Sequence, residues 1–298
     1  MRALALAFAL GLAALAGPAP LAAQDGRAAL AAMETAGIVR HADIAYQAIE
    51  GVAPERQLLD VYTREGLSGA PVVLFVHGGS WYQGSKAAVG VKPIVFAQNG
   101  FLTVSTHYRF RPDVEVADQA QDIARAAAWI HANIAAYGGD PERIFLMGHS
   151  AGAHLVSVVG TNRTFLETAG LSFAVIPGVI SLDTGPYDVR KQMAGINPEV
   201  GYGKLMAFVF GQDDSKWDAV SPIRHIAADT PPFLVVSSDN RGDAPGQAGT
   251  FVKALQAAGV EAEWFTAEGL DHGGVNTELG KADNPITQKV VGFLTAHD

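Results

Sequence analysis

The pentapeptide Gly148-His149-Ser150-Ala151-Gly152 stands between a run of β-formers, 143–147, and a run of small helix-formers, 151–158. Few backbones accept that arrangement. The first run favours an extended strand and the second a helix, so the chain must turn sharply between them with Ser150 at the tip. Glycine two residues to either side removes Cβ atoms that would clash in so tight a turn. The helix that follows aims its unpaired N–H groups at the serine hydroxyl, where they favour negative charge. A serine presented this way is a candidate nucleophile.

The rest of the chain alternates in the same sense. Strand-like segments fall at 44–49, 58–63, 71–77, 101–108, 143–149, 174–182, 232–238 and 261–267, and helical ones at 86–98, 116–137, 151–161, 244–258 and 285–297. The first two strands have little between them and are expected to pair antiparallel. Continuous apolar runs such as Val72-Val73-Leu74-Phe75-Val76 require cover on both faces, the habit of parallel strands. The expected fold class is therefore α/β, a mostly parallel eight-stranded sheet flanked by helices. Residues 182–217 fit neither period; they are expected to form a small insertion that caps the carboxyl edge of the sheet and shapes a pocket.

The first 23 residues read as an export signal. Arg2 is followed by an uncharged apolar stretch, 3–15, by Pro18 and Pro20, and by Leu21-Ala22-Ala23, small residues suited to cleavage. The apolar stretch is shorter than the roughly 20 residues a membrane span needs. A single domain, 24–298, is expected in the periplasm or medium, with no membrane attachment once the signal is cleaved. The chain has no cysteine, which excludes disulfides, thiolate metal sites and a lipid-anchored amino terminus. Its formal net charge of −9, which becomes −10 without Arg2, opposes nucleic acid and anionic membranes as partners. No feature bears on oligomeric state.

A serine hydroxyl needs a base within hydrogen-bond reach and a carboxylate to orient that base. His272 lies in a glycine-flanked turn after the final strand segment and is the expected base. Asp239 closes the 232–238 segment and is the expected acid; Asp243, four residues on, is the alternative and otherwise caps the next helix. The chain order is then Ser150, Asp239, His272. Gly78, Gly79 and Ser80, directly after the first parallel strand, allow backbone N–H groups to approach a carbonyl oxygen, and Ala151 N–H would complete that oxyanion hole. Trp81 and Tyr82 are expected to wall the pocket. His149 is expected to shape the turn and His154 to pack or hydrogen-bond beneath the site, while Asp271, adjacent to the base, points away from it. No metal or organic cofactor is called for.

Taken together, His77-Gly78-Gly79-Ser80-Trp81, Gly148-His149-Ser150-Ala151-Gly152 and Asp271-His272 resemble the α/β-hydrolase superfamily, on the carboxylesterase side with an HGG-type oxyanion motif. The nearest likeness is to the kynurenine formamidase-like and feruloyl-esterase-like branch. That resemblance implies a serine esterase acting on small carboxylic esters through an acyl-enzyme. An arylformamidase-type amidase on the same triad is the alternative, and a non-catalytic ligand-binding protein of this fold is a third reading. The acid loop departs from the family pattern: Asp239-Asn240-Arg241-Gly242-Asp243 lacks the usual Asp followed by Val-Pro.

Overall fold

A computed structural model describes residues 19–239 and 244–298, with side chains from residue 26 and again from residue 246. The apolar stretch 3–15, on which the expected export signal rests, and Asp243 thus lie outside the described residues. Eight strands form one sheet: β1 (Ile38–Ala45), β2 (Leu58–Arg64), β3 (Ala70–Val76), β4 (Leu102–Thr106), β5 (Gly139–His149), β6 (Val179–Leu182), β7 (Phe233–Ser238) and β8 (Ala262–Ala267). Ten α-helices accompany them among the described residues: α1 (Ala19–Thr35), α2 (Lys92–Gln98), α3 (Val116–Asn133), α4 (Ala151–Thr161), α5 (Thr164–Thr168), α6 (Val189–Ala194), α7 (Gly201–Phe210), α8 (Ala244–Ala257), α9 (His272–Thr277) and α10 (Pro285–Ala296).

The strand order is β1-β2-β4-β3-β5-β6-β7-β8. Pairing is antiparallel for β1–β2 and β2–β4 and parallel from β4 to β8. The apolar run of β3 is explained by its central place. Val72, Leu74 and Val76 enter one core with Ile123 of α3, Leu155 of α4 and Phe251 of α8. Val73 and Phe75 enter the opposite core with Phe96 of α2 and Val290 and Leu294 of α10. Alternate side chains serve opposite faces, and both faces are apolar because both are covered.

Several boundaries differ from the sequence expectation for local reasons. The first strand runs over Ile38–Ala45 and not 44–49, with its register to β2 shifting between His41 and Ile44. The 174–182 segment is not one strand: Phe173–Val175 is a 3₁₀ turn, and only Val179–Leu182 joins the sheet. Pro177 lies between the two and has no N–H to give a ladder. The 86–98 helix is split into a 3₁₀ turn, Lys86–Val89, and α2, with Gly90 at φ +56° between them and Pro93 in the first turn of α2. Between β6 and β7 the chain forms α6, α7 and short 3₁₀ turns that extend to Arg224, past the 182–217 span. No helix among the described residues is long and apolar enough to cross a membrane.

Candidate active site

Six consecutive strands of the sheet, β4-β3-β5-β6-β7-β8, point their carboxyl ends the same way, and the candidate residues gather there. Ser150 sits between β5 and α4 at φ 56°, ψ −119°, a backbone region that side chains rarely occupy. Two contacts impose it. Ser150 N–H donates to Leu182 O at the end of β6 (2.9 Å), and α4 turns back so closely over β3 that a Cβ on Gly152 would lie 2.1 Å from Val76 O. Only glycine fits that crossing, which is why the motif carries one two residues after the serine.

The candidate base lies beside the candidate nucleophile. His272 begins α9, whose N-terminus is capped by Asp271 Oδ1 accepting from Gly274 N–H (2.6 Å). Its Nε2 is 2.8 Å from Ser150 Oγ and its Nδ1 is 2.6 Å from Asp183 Oδ2. The second of these contacts corrects the acid assignment. Asp239 is exposed and its Oδ2 accepts from Gly269 N–H (2.8 Å), bracing the loop that leads to His272 without touching its ring.

Asp183 follows β6 directly and is fully buried. A buried carboxylate is costly unless donors surround it. Here Ser238 N–H donates to Oδ1 (3.0 Å) and Ser238 Oγ–H to Oδ2 (3.1 Å), both from the end of β7. The backbone of Asp183 is itself left-handed, φ 53°, with its N–H donating to Val236 O (2.8 Å). The same strand-end logic that singled out Asp239 would have found Asp183, since Leu182 ends the preceding strand segment. What sequence lacks is the lateral position: β6 lies between β5 and β7, one strand nearer to the serine.

Opposite the serine runs the loop from His77 to Gly84. Gly78 lies flat against the turn; a Cβ there would come within 2.9 Å of Ser150 Cβ. Gly79, at φ +125°, accepts from Tyr82 N–H (3.2 Å) and Gln83 N–H (3.1 Å). The N–H groups of Gly79 and Ser80 have no acceptor among the described residues, and Ala151 N–H opens α4, where no intrahelical acceptor exists. His77 underlies the loop: it is fully buried, stacks on Tyr108 (4.5 Å, 19°) and donates from Nδ1 to Gly78 O (2.6 Å). Burial pushes its pKa down to about 3, so it is neutral at working pH.

The two aromatic residues of the loop divide. Trp81 is buried rather than lining an open pocket: its indole N–H donates to His154 Nδ1 (3.3 Å) and its ring meets Phe210 edge-on at 5.3 Å. An indole buried this deep needs an acceptor, and the histidine supplies it. Tyr82 is exposed and meets Phe208 of α7 edge-on at 5.9 Å, a contact that joins the loop after β3 to the insertion. His149 has more to do than shape the turn: Nε2–H donates to the backbone O of His272 (2.8 Å) and the two rings lie 4.7 Å apart. Loss of solvent, with His272 close by, lowers its pKa to about 3. On the far side of α9, Lys92 Nζ donates to Asn276 O (2.8 Å). No group of His, Asp or Glu among the described residues is disposed to hold a metal ion.

The profile of the BD-FAE family, a family of α/β-hydrolases, matches residues 59–245. The chain belongs to the BD-FAE family. That match takes in the loop after β3, the Ser150 turn and Asp183. Among curated relatives, a probable isoprenylcysteine α-carbonyl methylesterase of Arabidopsis thaliana is 31% identical over 233 residues, 73% of this chain and 54% of its own length. The probable carboxylic ester hydrolase LipM of Mycobacterium tuberculosis is 33% identical over 216 residues, 66% and 48%. The chain thus spans about half the length of these relatives. Of solved structures, a thermophilic esterase from Thermogutta terrifontis superposes with a TM-score of 0.65 at 25% identity, covering 85% of this chain and 90% of that one. A truncated carbohydrate esterase from gut microbiota shares the fold at a TM-score of 0.72 and 20% identity, covering 87% and 96%.

Proposed function

We propose that this BD-FAE chain is a serine hydrolase of small carboxylic esters, working through Ser150, His272 and Asp183. The observation that carries the reading is the unbroken chain Ser150 Oγ, His272 Nε2, His272 Nδ1, Asp183 Oδ2, with contacts of 2.8 and 2.6 Å. In the acylation step His272 Nε2 takes the Ser150 proton as Oγ attacks the ester carbonyl. Asp183, acceptor-only when ionised, keeps the remaining ring proton on Nδ1 and stabilises the imidazolium. The oxyanion lies within reach of Ala151 N–H and of Gly79 or Ser80 N–H, donors fixed before substrate arrives. His272 then protonates the departing alcohol, and water activated by the same nitrogen releases the acid and restores Ser150. No step calls for a cofactor.

Relatives described as a methylesterase, a carboxylic ester hydrolase and an esterase support the ester over the amide. The rim formed by Tyr82 and Phe208 is apolar and suits a small acyl or alcohol group. Export to the periplasm or medium rests on the Arg2 start, the apolar stretch and Leu21-Ala22-Ala23, and N-terminal sequencing of exported protein tests it.

The decisive experiment treats the protein and its Ser150→Ala variant with a fluorophosphonate probe and with p-nitrophenyl acetate, butyrate and octanoate. Labelling and turnover in the parent alone are expected, with the variant still folded by circular dichroism. Turnover by Ser150→Ala at the parental rate would remove the assignment. Labelling with hydrolysis of N-formylkynurenine but of no ester would replace it with the amidase.

A further inference from the structure

We propose that His154 is a positioning residue for the oxyanion loop: held in one tautomer, its imidazole ties Trp81 to the nucleophile helix and to the β6–β7 insertion. This deepens the reading above, because it takes Gly79 and Ser80 N–H as the loop's oxyanion donors.

The loop needs such a tie. Ser80 (φ 54°) and Trp81 (φ 64°) are consecutive non-glycine residues in the left-handed region, a conformation that persists only when the surroundings impose it. Trp81 is gripped at both ends. Its carbonyl accepts from Gln119 Nε2 (2.7 Å) and Arg111 N–H (2.9 Å), and its indole N–H donates to His154 Nδ1 (3.3 Å). Moving Trp81 moves Ser80, whose N–H is one of the two candidate donors.

His154 is suited to hold it. The side chain is fully buried and lies one helical turn beyond the nucleophile, its own N–H donating to Ser150 O (3.1 Å). Its Nε2 is 2.8 Å from Val220 O, which can only accept, so Nε2 carries the proton. Nδ1 is then a bare acceptor facing the indole. Each ring nitrogen therefore has one partner that fits only this tautomer, and burial, which lowers the pKa to about 4, keeps the ring neutral. Ser150 through the backbone of His154, and Trp81 and Val220 through its ring, are thereby held together by one residue.

The test compares His154→Phe, which keeps a flat ring without an acceptor, with His154→Asn, whose Oδ1 can stand near the place of Nδ1. Trp81→Phe removes the other half of the pair. The readouts are kcat and KM on p-nitrophenyl butyrate, inhibition by a trifluoromethyl ketone, the pH profile of kcat/KM, and thermal unfolding. His154→Phe is expected to lower kcat by about 10- to 100-fold with KM nearly unchanged, and to weaken the ketone by a similar factor. The pH profile should keep its parental midpoint, because His272 is untouched. His154→Asn should recover most of the loss, and Trp81→Phe with His154→Phe should be no worse than either alone. A folded His154→Phe enzyme with parental kcat, or additive losses in the double variant, would overturn the proposal. So would a shifted pH midpoint, which would mean that the ring acts through His272. Should His154→Phe not fold, Trp81→Phe decides alone: parental kcat and ketone affinity would overturn the proposal. A parent that neither labels nor hydrolyses any ester would instead defeat the underlying hydrolase reading.

Discussion

Ser238 grips Asp183 twice, through its amide N–H to Oδ1 (3.0 Å) and its hydroxyl to Oδ2 (3.1 Å). Asp183, directly after β6, is thus oriented by β7, and its Oδ2 still reaches His272 Nδ1 at 2.6 Å. The carboxylate has its donors before any substrate binds, and its burial leaves no room for it to rotate away into water.

Asp183→Asn should lower kcat on p-nitrophenyl butyrate by about 10³- to 10⁴-fold, since an amide can offer His272 the wrong tautomer. Asp239→Asn should change it by no more than about threefold, because Asp239 meets only a loop N–H among the described residues. The opposite pattern would return the acid to β7.

Gly152→Ala places a methyl 2.1 Å from Val76 O, at a crossing between α4 and β3 where backbone meets backbone. The helix must retreat, and Ser150 retreats with it. Fluorophosphonate labelling should fall by at least about 100-fold, or the variant should fail to accumulate as folded protein. Labelling at the parental rate would show that the turn tolerates a wider crossing.

Lys86 lies between β1 and β2 with its Nζ 2.5 Å from Asp60 Oδ1 and 2.7 Å from Asp43 Oδ1, and Arg40 Nη2 is 2.8 Å from Asp60 Oδ2. Asp60 is fully buried and Lys86 nearly so. Lys86→Met leaves Asp60 with Arg40 as its one cation, beside the Asp43 N–H and the Tyr62 hydroxyl, and urea unfolding should report a loss of about 3 to 5 kcal/mol. A loss under about 1 kcal/mol would mean that Arg40 suffices.

Lys92 links α2 to α9 and is fully buried; desolvation lowers its pKa to about 7, against about 10.4 when the chain is unfolded. Between those values the unfolded chain binds the extra proton, so stability rises with pH over roughly 7 to 9.5, below the range in which tyrosines ionise. Lys92→Met removes that slope. Relative to the parent it should therefore be most stable near pH 7 and lose ground by up to about 1.4 kcal/mol per pH unit above it, read from urea midpoints at pH 7, 8 and 9. Parallel curves for the two proteins would mean that Lys92 is already charged in the folded state across this range.

The parts of the site legible in the sequence are those set by short-range geometry. Gly148 to Gly152 spans the end of β5, His77 to Trp81 follows β3 directly, and His272 comes shortly after β8; local patterning places all of them near strand ends. The acid needed more. Asp183 and Asp239 both follow strands, and only the lateral order of β5, β6 and β7 distinguishes them. Trp81 was legible as an aromatic beside the site, but its burial depends on His154 from a helix 70 residues away. Apolar residues on either side of Pro177 make 174–182 read as one strand, although the proline between them breaks it.

The β6–β7 insertion begins at the peptide bond that follows Asp183, so α6 and α7 hang from the residue that meets His272. Any lengthening or shortening close to that root would tug on the carboxylate, whereas the stretch between α6 and α7 can be rewritten at a distance from it. A lineage or an engineer wishing to retune this chain has the stretch between α6 and α7 in which to splice, and the residues next to Asp183 are not part of it.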